Sequence, residues 1–384
     1  MDSTKDYDLN NLWGEVENII NDLEEEIKKP KILVAGKTGV GKSSVLNALG
    51  KGDFFEVGVT PTTKNNEEDI WKTKNGEDIV VVDVPGFGEA DEPKINNESY
   101  EQNIINKVKN LEGHILLLVI KADDRALEKE SNFLKEWYSD DVVKNMPVIV
   151  VVNQIDKITP VRDWNPDTLN LKTPVSKKEK NIRTYLDYVS SLNYFDNLSA
   201  ENKLLPVSAG ESFDDQNKYG IENLRNKIYE LLPEAARTLF ARATKLRNKE
   251  AKKIINKYSS LCFGSVAANF SPASDALILA PIQIKMITHL GKLYDLEINK
   301  SVITGLISSF GLSLTGRYAA QTVISFFPVV KNIVGPPLAF TLTYSMGLTV
   351  NELFSKGKTT ATQKEIDKYM KNNIKKAKTQ SKKV

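Results

Sequence analysis

The sequence predicts an α/β domain with a mixed sheet, joined to an all-α domain built from C-terminal helices and an N-terminal helix. Three observations predict it. Apolar runs of strand length (Lys31–Ala35, Ile79–Val84, Val148–Val152 and Leu204–Val207) alternate with helical patterns over residues 30–234. A glycine-rich octapeptide, Gly36-Lys37-Thr38-Gly39-Val40-Gly41-Lys42-Ser43, joins the first run to a helical segment, Ser44–Leu49. Residues 235–384 then change character, carrying 23 basic against 7 acidic residues, with Arg317 and Lys331 as the only charges between Ser301 and Asn351.

The first element, within residues 1–29, has Leu9, Leu12, Trp13, Val16, Ile19, Ile20, Leu23 and Ile27 at spacings of three and four. That is an amphipathic helix, and its apolar stripe needs a partner. The C-terminal helices are the natural one, because they are basic where this segment is acidic. The octapeptide comes next and fits G-x-x-x-x-G-K-[ST] with a strand before it and a helix after it. Its glycines let backbone N–H groups from Thr38 to Ser44 converge, and the helix adds its positive dipole end. Such a loop cradles a nucleoside triphosphate, with Lys42 on the outer phosphates and the Ser43 hydroxyl on Mg²⁺.

Four later segments refine the ligand. The strand Ile79–Val84 runs into Asp83-Val84-Pro85-Gly86, where the Asp83 carboxylate can hold a magnesium-bound water and the Gly86 amide can meet the γ-phosphate. Val148–Val152 runs into Asn153-Gln154-Ile155-Asp156, whose terminal carboxylate can accept the N1 and N2 hydrogens of guanine; adenine offers no such pair. Leu204–Val207 ends in Ser208-Ala209, whose amides suit the guanine O6, with Asn153 bracing this loop and the phosphate loop. Between the phosphate loop and the strand that ends in Asp83-Val84-Pro85-Gly86, the threonines Thr60, Thr62 and Thr63 can close over Mg²⁺ and the γ-phosphate. The candidate catalytic residues are thus Lys42, Thr63 and Gly86. Ser43, Thr63 and, through water, Asp83 are the candidate metal ligands. The nucleotide contacts are Thr38, Gly39, Val40, Gly41, Lys42, Ser43, Ser44, Thr62, Thr63, Asp83, Gly86, Asn153, Gln154, Asp156, Ser208 and Ala209.

In order and register these segments resemble the signature set of regulatory P-loop GTPases, and the wording D-V-P-G, N-Q-I-D and P-V-S-A looks like the Era-like branch. The resemblance implies a Ras-like GTPase domain over residues 30–234, with GTP or GDP and Mg²⁺ as cofactors. Gln154 stands where the family carries lysine, keeping an aliphatic stem for the base but no charge. Phe87 follows D-x-P-G where efficient GTPases place glutamine, and it can neither orient nor deprotonate a water. Gly39 occupies the position where potassium-assisted relatives carry asparagine. A slow intrinsic rate is therefore expected, with help from a second copy across the nucleotide face, a separate activator, or residues 88–97.

The loop before the helix Lys177–Ser190 carries Pro160, Pro166 and Pro174, and Leu232-Pro233 closes the domain. Beyond it the basic residues from Arg237 to Lys257 crowd what reads as one helix, and ten lysines follow Phe354. Net charge is −6 over residues 1–30, −8 over 31–234 and +16 over 235–384. An anionic membrane surface, nucleic acid, or plain solvation could face this basic half. The apolar stretch 301–351 favours the membrane, although Gly335-Pro336-Pro337 and the two cations leave no clean span. Residues Ser271–Tyr294 resemble the YcjF-type hydrophobic domain that follows Era-like domains, which implies a helical, membrane-associated module over residues 235–355, then a lysine-rich helix or tail over 356–384. At fold level the arrangement also resembles immunity-related and dynamin-like GTPases.

Composition excludes several chemistries. A single cysteine, Cys262, precludes an intrachain disulfide, and two histidines, His114 and His289, make a histidine zinc site or proton relay improbable. Residues 1–6 lack a basic-then-apolar secretion signal, so a cytoplasmic protein with peripheral membrane association is expected. The expected function is a GTP-binding switch and slow GTPase coupling nucleotide state to the helical domain; a ribosome-associated assembly factor and a non-hydrolysing scaffold are the alternatives.

Overall fold

The computed structural model describes residues 9–50, 68–73, 76–83, 102, 105–106, 108–109, 112–210, 217–268, 275–310 and 335–382. The chain divides into two compact units, residues 29–245 and residues 1–28 with 246–384.

The first unit is a six-stranded sheet of order β2-β3-β1-β4-β5-β6. Its strands are β1 (Lys31–Ala35), β2 (Glu68–Thr73), β3 (Gly76–Asp83), β4 (Ile115–Lys121), β5 (Val148–Asn153) and β6 (Leu204–Pro206). All neighbours run parallel except the β2–β3 edge pair, which is antiparallel with a register shift at Trp71/Lys72. The sheet is thus mixed, as the sequence predicts. β4 and β5 are almost uninterrupted runs of buried Leu, Ile and Val because helices cover both their faces. One face packs Phe133, Leu134 and Trp137 of a helix at Glu128–Ser139, and Ile182, Leu186 and Val189 of another at Lys177–Ser190. At the bottom of the sheet the Lys31 N–H donates to His114 Nδ1 at 3.0 Å, and burial lowers the imidazole pKa, so His114 is a neutral structural acceptor.

The Lys177–Ser190 helix is started by a full capping box between Ser176 and Glu179. Glu179 Oε2 also accepts from Val175 N–H, and Oε1 from Asn170 N–H at 2.8 Å, which folds the preceding loop onto the helix. These backbone donors hold the carboxyl at about 2, below its ordinary 4.5. A depressed carboxyl contributes stability above its unfolded value that is lost as pH falls through the folded one. Urea midpoints are therefore expected to drop between about pH 4.5 and pH 2, and Glu179→Gln to flatten that limb; an unchanged acid profile in the variant would refute the assignment.

Helix Glu234–Ala243 sits with the sheet and packs on β3, burying Ala236, Leu239 and Phe240. Arg237 turns back to the Leu232 and Glu230 carbonyls at 3.0 and 3.1 Å, clamping this helix to the end of the one before it. The compact unit that holds the sheet consequently runs on to Lys245, one helix past the Leu232-Pro233 break. The basic run read as one helix is two, Glu234–Ala243 and Arg247–Ala268, and they belong to different units.

The second unit contains helices at Leu9–Glu26, Arg247–Ala268, Asp275–Tyr294, Lys300–Ser309, Pro336–Phe354 and Gln363–Ser381. The helix at Pro336–Phe354 lies against Arg247–Ala268, Asp275–Tyr294 and Gln363–Ser381. Gly335 caps it and Pro336 and Pro337 occupy its first turn, where a missing N–H costs nothing, so these residues start a helix. Gly347 lets it approach closely: a Cβ there would meet Ile255 at 2.9 Å and Met286 at 3.0 Å. Gly305 faces open space, and residues 311–316 lie outside those described.

Polar groups thread this apolar interior in pairs: Gln283 Nε2 donates to Thr343 Oγ1 at 3.1 Å, Asn373 Nδ2 to Thr349 Oγ1 at 3.2 Å, and Tyr258 Oη lies 3.2 Å from His289 Nδ1. Burial pushes the Cys262 thiol up to about 11, so it remains an unreactive packing residue near neutral pH. The helix Leu9–Glu26 buries Val16, Ile20 and Leu23 and packs on Asp275–Tyr294, with Glu24 and Glu26 paired to Lys292 and Lys285 at 2.6 and 2.5 Å. No helix among the described residues is long and apolar enough to cross a membrane.

Candidate functional site

The site forms at the C-terminal edge of the sheet, at the end of β1, where the chain leaves toward the β3 side while β4, reached from β3, lies on the other. Leaving β1, the chain turns through Gly36 (φ 150°), Gly39 (φ 82°) and Gly41 (φ 89°) before entering the helix Lys42–Leu49. At Gly36 a Cβ would strike the Val119 carbonyl oxygen, and at Gly41 it would strike the Asn153 side-chain amide. Both glycines therefore serve close approach as well as backbone angle.

Asn153, at the end of β5, is buried and ties three segments together. Its Nδ2 donates to the Val40 carbonyl at 2.9 Å and the Gly41 carbonyl at 3.5 Å, while its Oδ1 accepts from Ala209 N–H at 3.3 Å. Gln154 adopts a left-handed backbone (φ 63°) and donates from Nε2 to the Gly39 carbonyl at 3.2 Å. A neutral amide thus makes a tether to the phosphate loop. Asp156 follows in a short 3₁₀ turn, and its Oδ1 accepts from Ser208 Oγ at 2.9 Å. Lys157 stands 3.5 Å from the other carboxylate oxygen at an exposed position.

Lys42 donates from Nζ to the Gly36 carbonyl at 3.1 Å, folded over the loop it closes. Ser43 and Ser44 follow in the first turn, while Thr38 and Gly39 are exposed at the loop's crown. Parallel register pairs Asp83 with Val34, which puts the end of β3 level with the end of β1. Thr62, Thr63 and Gly86, with Phe87, lie outside the described residues. The structure therefore gathers the phosphate loop, Asn153, Gln154, Asp156, Ser208 and Ala209 at one edge, and the end of β3 beside them.

Three long-range contacts carry no local motif. Lys37, the second residue of the loop, reaches Asp124 at 2.9 Å, Glu130 at 3.3 Å and the Ala126 carbonyl, anchoring the loop to the segment after β4. Burial opposes the Lys37 charge, but the two carboxylates outweigh it and raise the pKa; burial pushes the almost fully enclosed Glu130 carboxyl up, and Lys37 holds that of Asp124 down. Lys178, also buried, donates to the Asp156 carbonyl at 2.7 Å and to that of Ile158, with its ammonium 5.4 Å from the centre of the Trp164 ring. It fixes the backbone that presents Asp156. Arg225 donates to the Ala48 and Leu49 carbonyls at 3.1 Å each, satisfying the C-terminal end of the helix that begins with Lys42.

The arrangement fits a magnesium nucleotide. The left-handed glycines and helix N-terminus form an anion cradle, Lys42 supplies the cation and Ser43 a hydroxyl oxygen of the hard type Mg²⁺ prefers. At the other end an acceptor carboxylate is held by Ser208, on a backbone whose carbonyl Lys178 pins.

Comparison with known proteins agrees. Residues 31–154 match a family model described as 50S ribosome-binding GTPase, and residues 233–382 match a domain of unknown function, DUF697. The uncharacterized protein YfjP of Escherichia coli is 31% identical over 152 residues, 39% of this chain and 50% of YfjP. The probable GTP-binding protein EngB of Leuconostoc citreum is 29% identical over 178 residues, 46% of this chain and 81% of EngB. The chain thus spans half the length of YfjP and most of EngB. A crystal structure of Era with MgGDPNP and part of 16S ribosomal RNA aligns over 61% of this chain and 67% of its own, at 21% identity and a TM-score of 0.36. Motifs, sheet and family match together show a P-loop GTPase domain with Era-, EngB- and YfjP-like homologues, followed by a C-terminal DUF697 domain.

Proposed function

We propose that the protein is a GTP-dependent switch of the Era-like branch, with a slow intrinsic GTPase whose nucleotide state is passed to its hydrophobic helical domain at a membrane. The observation that carries the nucleotide half of this reading is the Asn153 brace, which locks the phosphate loop and the Ser208-Ala209 loop to the strand that delivers Asp156. When bound, Mg²⁺ neutralises charge developing on the β- and γ-phosphates. Lys42 would exchange its bond to the Gly36 carbonyl for one to the outer phosphates, and Ser43, Thr63 and, through water, Asp83 would hold the metal. Thr63 and the Gly86 amide would be the contacts that sense the γ-phosphate and that hydrolysis would release.

Phe87 offers no hydrogen bond to the attacking water, so positioning must come from outside the phosphate loop. A single-turnover assay at stoichiometric enzyme is expected to give slow phosphate release that accelerates as protein concentration rises. A fast rate independent of concentration would refute the slow-switch reading. The membrane half is supported by the +16 charge and the apolar stretch 301–351, which suit a YcjF-type module lying on lipid. The description of the GTPase-domain family favours a second reading, ribosome association, which co-sedimentation with 50S subunits tests.

A further inference from the structure

The helix Gln363–Ser381 presents a feature that composition does not reveal. Lys364, Lys368, Lys371, Lys375, Lys378 and Lys382, the last being its cap residue, are all exposed and follow one another at intervals of four, three, four, three and four. At 3.6 residues per turn the six fall within an arc of about 80° along a straight ridge of about 27 Å. Ile366, Met370, Asn373 and Ala377 occupy the opposite side and are buried, and Asn373 is bonded to Thr349. Glu365 lies off the ridge and is committed to Lys358 at 2.8 Å; Asp367 stands at its flank.

Like charges three and four residues apart destabilise a helix. Here five such steps run in succession on an element whose start is secured by a Thr362/Glu365 capping box. The ridge is therefore a cost to the isolated fold that an anionic partner would offset. Its shape selects among partners. A straight line of lysines within one narrow arc meets a plane with all six ammonium groups at one depth, whereas a duplex curves away from a straight helix. The ridge is all lysine, without arginine forks to grip single phosphates and without aromatic groups to stack on bases. The apolar side of the helix is already used inside its own unit, so binding would be electrostatic and at headgroup depth.

We infer that this lysine ridge is the surface by which the helical unit lies on an anionic lipid bilayer. The inference rests on the membrane reading above and names its contact residues. The test is flotation of the full-length protein with phosphatidylcholine vesicles, with and without phosphatidylglycerol. Wild type is expected to bind only the anionic vesicles and to be released by salt. Lys368→Gln, Lys371→Gln and Lys375→Gln together should weaken binding about 100-fold, at roughly fivefold per cation. A control triple at the exposed Lys172, Lys177 and Lys180 should leave it unchanged. Circular dichroism melting of each variant confirms that glutamine preserves the fold. Wild-type binding to anionic vesicles that the ridge triple leaves intact would overturn the ridge while sparing the membrane reading. No binding to either vesicle would overturn both, and salt-sensitive binding to duplex RNA lost only in the ridge triple would reassign the surface to nucleic acid.

Discussion

Asp156→Asn is expected to turn the protein from a guanine to a xanthine nucleotide binder. In the proposed reading the carboxylate would accept two hydrogens from guanine, and each hydrogen bond to a charged group is worth about 1.5–3 kcal/mol. Asparagine keeps one acceptor oxygen and turns an N–H₂ toward the base. Ser208 decides which way the amide lies, because its hydroxyl donates at 2.9 Å to Oδ1 and holds the oxygen on its own side. The amide nitrogen then faces the exocyclic amino group of guanine, donor against donor, but meets the carbonyl that xanthine carries there. GTP affinity should fall on the order of 10²–10⁴-fold, and xanthosine triphosphate should bind better than GTP. Competition titrations of a fluorescent nucleotide with GTP, xanthosine triphosphate and ATP measure both changes. Retention of GTP affinity within threefold would exclude Asp156 as the base-reading residue. Ser208→Ala combined with Asp156→Asn should blunt the switch, since the amide is then free to flip.

Asn153→Ala is expected to loosen the site at three places. It removes the donor to the Val40 and Gly41 carbonyls and the acceptor for Ala209 N–H, leaving buried backbone groups without their partner. Each such group costs about 1–3 kcal/mol, so nucleotide affinity should fall about 100-fold or more. Amide hydrogen exchange should quicken at Val40, Gly41 and Ala209 while β4 stays protected. Asn153→Asp separates this account from a general packing defect: it keeps the acceptor for Ala209 but sets a carboxylate against two carbonyl oxygens. The phosphate loop should then suffer at least as much as in the alanine variant. If Asn153→Asp binds nucleotide like wild type, the brace has no part in holding the loop.

The site was legible where chemistry is written in consecutive residues. A phosphate loop needs glycines at fixed offsets followed by Lys and Ser, so Gly36 to Ser43 announced itself; N-Q-x-D and Ser-Ala did so because each closes a strand on its own apolar run. The helix Lys177–Ser190 was equally local. Lys37, Lys178 and Arg225 were not legible, because their partners lie 87 and 93 residues ahead, 20 and 22 behind, and 176 and 177 behind along the chain. A lysine or arginine in a polar stretch reads as a solvated charge until the fold places a carbonyl or carboxylate against it. The same limit applies to where the sheet-bearing unit ends. Leu232-Pro233 does end a helix, but whether the next helix stays with the sheet depends on how Phe240 and its neighbours pack against β3, and on how Arg237 reaches back.

The sequence by itself thus determined the class of ligand, the α/β and all-α halves, and the excess of positive charge in the second. These depend on residue type and short-range spacing, which are set before the chain folds. Tertiary structure alone decided which charges are buried anchors, where one unit ends and the next begins, and that the C-terminal lysines form a ridge opposite a buried face. Those outcomes depend on which distant segments meet, and burial, desolvation and close approach acquire values only when they do.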